Sequence, residues 1–132
     1  MTMLHHRFLS ACERGSVYTV ASLLDQINPS VNDNRAIHLA SYNGHTEIVR
    51  LLLGDPSVDP SSDHNYALRS ACYNGHIEVV RLLLADPRVD LSCLDNWAMQ
   101  YAKQEGHTEI IDLLTEHQFR LDGPEYNKNI LT

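Results

Sequence analysis

Apolar residues recur along this chain at helical rather than strand spacing. Ile48, Val49, Leu52 and Leu53 form one stripe, and Val79, Val80, Leu83 and Leu84 form a second, a pattern that gathers side chains on one face of a helix. On the exposed side Glu47 precedes Arg50 by three residues, and Glu78 precedes Arg81 likewise, pairs that each contribute only a few tenths of a kcal/mol. Before each stripe lies a shorter helical segment, predicted at 36–42 and 67–73, with a third at 98–104. Its small-residue face, Ala40, Ala71 and Ala102 with Ser41 and Cys72 beside two of them, lets a neighbouring helix come close. Asn34, Asn65 and Asn96 stand where an N-cap is wanted, their side chains able to accept from first-turn amides. Gly44, Gly75 and Gly106 end the short helices in the left-handed conformation that suits glycine. Pro56 and Pro87 forbid continuation of the second helices. Segments 57–65 and 88–96, rich in Asp, Ser, Asn and Pro, read as loops or tight hairpins.

The same punctuation returns at a fixed interval. Gly44, Gly75 and Gly106 are each followed by His and are spaced 31 apart, and blocks 34–64 and 65–95 align without a gap, matching at 18 of 31 positions. Residues 96–118 keep the register through Ala98, Ala102, Gly106, His107, Ile110, Ile111, Leu113 and Leu114. Backwards, Gly15 lies 29 before Gly44, with Phe8, Ala11, Val20, Leu23 and Leu24 in equivalent places. The expected organisation is therefore an array of four units at about 1–33, 34–64, 65–95 and 96–118, followed by a tail at 119–132. The tail is too short for a second folded domain. One pair of short helices cannot bury its apolar face alone, so the units must stack around a shared core. The last unit carries Asp112, Thr115 and Glu116 where earlier units have Arg, Leu and Ala, the wetter outer face that ends such a stack.

These residues carry a family resemblance. The motif A-x-x-x-A-x-x-x-G-H-x-E-[IV]-[VI]-x-L-L, recurring in register over roughly 4–118, resembles the ankyrin repeat. The period of 31 is shorter than the usual 33 or so. The customary Thr-Pro-Leu-His opening is replaced by Arg35-Ala36-Ile37-His38, Tyr66-Ala67-Leu68-Arg69 and Trp97-Ala98-Met99-Gln100. The Asp-Pro-x-Val-Asp loops at 55–59 and 86–90 are similar to those of ankyrin proteins from large DNA viruses and protists. The resemblance implies an all-α solenoid of stacked helix-turn-helix units with short hairpin-like loops. It also implies that His45, His76 and His107 bridge backbone groups between adjacent units.

Composition narrows the function. Ten Lys+Arg against seventeen Asp+Glu leave a formal charge of −7, which disfavours nucleic acid and anionic lipid as partners. Apolar runs are far shorter than the roughly 20 residues of a membrane helix, and His5, His6 and Arg7 break any secretory signal. Three cysteines, Cys12, Cys72 and Cys93, with no CxxC pair, suit a reduced, intracellular, cytoplasmic protein. No His and Cys set has ligand spacing, so no metal and no cofactor is expected. Cys12 and Cys72 fall in the small-residue stripe and read as packing, and no phosphate loop, GxSxG or paired carboxylate appears. No enzyme is expected.

What remains is surface. The resemblance implies a protein partner held by the concave side and the loop fingers of the stack. It points the residue pairs before each Gly-His step at that groove: Glu13-Arg14, Tyr42-Asn43, Tyr73-Asn74 and Gln104-Glu105. Tyr42 and Tyr73, one unit apart, offer the aromatic contact enriched at binding hot spots, unless both rings pack against the next unit. Arg35, Tyr66 and Trp97 share a second equivalent position and either reach the partner or cover the edge of the core. The candidate partner-binding set is Arg14, Arg35, Tyr42, Asn43, Tyr66, Tyr73, Asn74, Trp97, Gln104 and Glu105. Loop carboxylates Asp55, Asp59, Asp63, Asp86, Asp90 and Asp95 face only Arg88, which suits a partner with a basic surface or serves solubility alone. The alternative role is an adaptor that captures a substrate for a larger complex such as a ubiquitin ligase. That role needs a linear motif in the tail, where none is recognised.

Overall fold

The computed structural model of the chain describes residues 2–89 and 97–117. The tail, Asp90, Cys93, Asp95 and Asn96 lie outside the described residues. Among the described residues the architecture is all-helical, with eight helices and no strand: α1 (Met3–Arg14), α2 (Val17–Leu23), α3 (Val31–Tyr42), α4 (Thr46–Leu53), α5 (Ser62–Asn74), α6 (Ile77–Ala85), α7 (Trp97–Glu105) and α8 at 108–117. First helices pack in one row, α1 on α3 on α5 on α7, and second helices in another, α2 on α4 on α6.

The core runs the length of the stack. Ala11, Ala40, Ala71 and Ala102 are fully buried and hold the first helices close, while Val20, Ile48, Val49, Leu52, Val79, Val80 and Leu83 fill the space between the two rows. Asp112, Thr115 and Glu116 are exposed on the last second helix.

Each first helix ends the same way. Gly15, Gly44, Gly75 and Gly106 have φ of 86°, 74°, 77° and 73°. The next residue's N–H returns to an alanine carbonyl in the helix, as from His45 to Ala40 and from His76 to Ala71, both at 2.9 Å, the Schellman closure of a helix end.

One expectation is corrected at the start of the unit. Asn34 and Asn65 do not cap by accepting from their own first turns. They close three-residue left-handed turns, Asn32-Asp33-Asn34 with φ of 54°, 56° and 65° and Asp63-His64-Asn65 with 55°, 54° and 60°. The Asn34 Oδ1 instead accepts the backbone N–H of Asp59, in the loop that closes the same unit, at 2.8 Å, and Asn65 is buried. Asn, Asp and His are the side chains that best tolerate positive φ. The loops, read as loops or tight hairpins, are built among the described residues on Asx-Pro turns. Asn28, Asp55 and Asp59 each precede Pro, and each accepts from the N–H and hydroxyl of the serine two residues on. A serine hydroxyl from one loop, Ser57, also reaches the Asn28 side chain of the loop before it at 3.1 Å.

Candidate partner-binding face

The Gly-His step is the joint of the stack. His45 Nε2 lies 2.8 Å from the Glu13 carbonyl, His76 Nε2 2.9 Å from that of Tyr42, and His107 Nε2 3.0 Å from that of Tyr73. A carbonyl only accepts, so in each case Nε2–H donates. These carbonyls belong to the last turn of a first helix, where no intrahelical partner remains. The glycines make room for the arrangement. A Cβ at Gly44 would stand 2.5 Å from the His76 ring, and one at Gly15 2.6 Å from His45, whereas at Gly106 nothing lies within 4 Å.

This joint holds Tyr42 and Tyr73 by their backbones and leaves their side chains outside. The two rings are 50% and 42% exposed at the C-terminal ends of α3 and α5. They are not equivalent in packing. Tyr73 meets Tyr101 of the next unit edge to face, with centroids 5.5 Å apart. Asn74 is half-buried and its amide donates to the Tyr42 carbonyl at 3.1 Å, so it serves the joint. Asn43 donates to Leu39 at its own helix end at 2.9 Å and is exposed, as are Arg14, Gln104 and Glu105.

Arg35, Tyr66 and Trp97 begin the three right-handed first helices after the loops. Arg35 is exposed and Trp97 is 45% exposed. Tyr66 is half-buried against the His38 ring, whose centroid is 4.8 Å away. Arg69 links this position across units: its guanidinium lies 5.0 Å from the Trp97 ring and 5.7 Å from the Tyr66 ring. Its Nε donates to the His64 carbonyl at 2.8 Å and its Nη2 to that of Asp63 at 3.0 Å. A concavity of about 480 Å³ opens between the units, lined by Glu13, Arg35, His38, Tyr42, Asp63 and Tyr66 among others.

The sequence reading passed over Arg69, His38 and Tyr101. The signal was available for two of them, since His38 and Arg69 hold one repeat-equivalent position exactly three residues after Arg35 and Tyr66, the spacing of helical neighbours. Arg88, read from the sequence as the cation among the loop carboxylates, is committed within the chain. The Arg88 guanidinium pairs with Asp86 at 2.8 Å and donates to the carbonyls of Leu53, Asp55 and Val58, tying one unit's loop to the next. That hydrogen-bonded pair holds the Asp86 carboxyl below its ordinary range. Asp86 is thus engaged within the chain, and Asp55 and Asp59 each commit an oxygen to their turns.

Burial pushes the thiols of Cys12 and Cys72 up to about 12, so both stay protonated and are poor nucleophiles. Burial likewise lowers the pKa of His38, with Asp63 opposing and Arg35 and Arg69 assisting. Among the described residues no group of three or more His, Cys, Asp or Glu could hold a metal ion, and no helix is long and apolar enough to cross a membrane.

A family model described as ankyrin repeats (3 copies) matches residues 8–95 and again 68–132. No curated protein matches the chain. The matched span, the stacked helix pairs and the histidine joints agree: the chain belongs to the ankyrin repeat family.

Proposed function

We propose that this chain is a non-catalytic interaction module whose concave face and loop edge hold a partner protein. Ankyrin repeats generally mediate protein–protein interaction and are typically not catalytic, which supports the coarse role. The observation that carries the finer one is the pair of exposed rings one unit apart, Tyr42 and Tyr73, with Trp97 exposed at the opposite helix end, beside the concavity at Tyr42 and Tyr66. Large rings with few rotatable bonds lose little entropy on binding, and water leaves their faces at a gain. With a formal charge of −7 and the carboxylates of Glu13 and Asp63 at the groove, the favoured partner presents a basic surface. The buried, protonated Cys12 and Cys72 are free thiols, in keeping with a reduced, cytoplasmic setting.

The test is a binding titration against a ligand selected on the intact chain from a displayed peptide library. Replacing both Tyr42 and Tyr73 with Ala should weaken that ligand by more than about 2 kcal/mol, a hot-spot-sized loss, while the stability loss stays within the about 0.5–1.5 kcal/mol of the Tyr73–Tyr101 contact. Unchanged affinity with an earlier melt would make the rings structural.

A further inference from the structure

Adjacent units solve the same local problem with different residues, and the difference leaves a cleft. In the third unit Arg69 lies over the left-handed turn 63–65, its Nε and Nη2 each on a successive turn carbonyl, at 2.8 and 3.0 Å. The rings of Tyr66 and Trp97 flank it at 5.7 and 5.0 Å. The second unit has the same turn, with the same positive φ at 32–34, but the residue at the Arg69 position is His38. That side chain is shorter and turns away from its own turn, with Nε2 2.8 Å from Ser62 Oγ and its ring on Tyr66 of the next unit. Beside it lies a cleft of about 540 Å³, lined by the turn residues, Arg35, His38, Asp59, Ser62 and Asp63.

We propose that this cleft, between the left-handed turn at 32–34 and the loop at 59–63, receives an arginine side chain of the partner protein. The chain's own Arg69 shows how a guanidinium sits on this turn: a planar fork spans two carbonyls, and an aromatic face lies alongside. Lysine presents a point charge and cannot span them in that way. The charge balance favours a cation. Asp33, Asp59 and Asp63 line the cleft against the single guanidinium of Arg35, and burial keeps His38 neutral near pH 7. The cleft also shares Arg35, His38 and Asp63 with the concavity at Tyr42, so an arginine seated here continues the ligand across the tyrosines. The inference therefore rests on the concave-face reading and names one anchor within it.

The probe is the peptide acetyl-Gly-Arg-Gly-amide, titrated into the isotope-labelled chain and compared with its lysine and citrulline counterparts. Saturable amide shifts are expected at 33–38 and 61–66, with binding at least about tenfold weaker for citrulline, which keeps the shape and loses the charge. Lysine should fall between. His38→Arg supplies the chain's own guanidinium and should abolish the shifts. Asp63→Asn, a residue that also tolerates positive φ, should weaken binding several-fold and decides the matter if His38→Arg does not fold. Equal shifts with arginine and citrulline, no saturable shift, or indifference to Asp63→Asn would each overturn the proposal. A selected partner lost on removing Tyr42 and Tyr73, yet bound equally by the His38 and Asp63 variants, would overturn the arginine cleft alone. Arginine shifts that persist, with a partner indifferent to the tyrosines, would overturn the concave-face reading instead.

Discussion

The two edges of the stack treat the same repeat in opposite ways. Along the Gly-His edge each joint is nearly a copy of the last, with histidine-to-carbonyl distances of 2.8, 2.9 and 3.0 Å. Along the loop edge the residue changes at every unit: Arg35, then Tyr66, then Trp97, and three positions on His38, then Arg69, then Gln100. The first edge answers a demand that every unit makes, because each first helix ends in a carbonyl that needs a donor. One demand receives one answer. On the loop edge the packing requires less of a side chain, so residues can differ without loosening the core. A side chain can be exchanged there at little cost in stability.

The largest effects should come from the shared interior that both edges enclose. Leu83→Ala, at a fully buried position, should cost roughly 2–5 kcal/mol and raise hydrogen exchange in the flanking units as well as in 66–85. Exchange confined to its own unit would mean that the units fold separately. Next comes the joint itself. Gly44→Ala combines left-handed strain with a ring 2.5 Å from the new Cβ and should cost roughly 2–4 kcal/mol. Gly106→Ala meets nothing within 4 Å, so it should carry the strain alone, about 1–2 kcal/mol. Chemical denaturation of both variants measures the difference, which is the contribution of the next unit's histidine.

Exposed side chains on either edge should respond weakly in stability. Tyr73→Ala loses an edge-to-face contact with Tyr101 and should cost about 0.5–1.5 kcal/mol more than Tyr42→Ala, a gap that thermal melts of the two single variants can read. The smallest expected effect is a dependence on pH at His38. Burial lowers its folded pKa below the ordinary 6.5, so below that value the unfolded chain binds the extra proton first. Its contribution to stability is whole above pH 6.5 and falls as pH drops towards the folded value. His38→Gln should flatten that part of the stability–pH curve. A curve of unchanged slope would show that His38 is as free to protonate in the fold as in the unfolded chain.

Much of this was legible in the residues. The apolar stripes at 48–53 and 79–84, the alanine face and the Gly-His interval of 31 gave two helices per unit and a stack of units. Each of those features acts over a few residues or repeats in register. The site was only half legible. Tyr42 and Tyr73 could be placed just before the helix-ending glycines, yet nothing local distinguished Tyr73, which leans on Tyr101, from Tyr42. Asn34 had every mark of an N-cap, and its side chain found the backbone of Asp59 instead.

The amino-acid sequence by itself determined the repeat, the order of the helices and the left-handed glycine turns, because periodicity and backbone sterics operate within a turn or two of chain. The tertiary structure alone decided which residue of one unit meets which residue of the next. Arg69 reaches Trp97 and His38 reaches Tyr66 only once the small-residue faces have set the spacing and rotation between neighbouring units. Those two quantities emerge from the packing of whole helices, and no short stretch of sequence contains them.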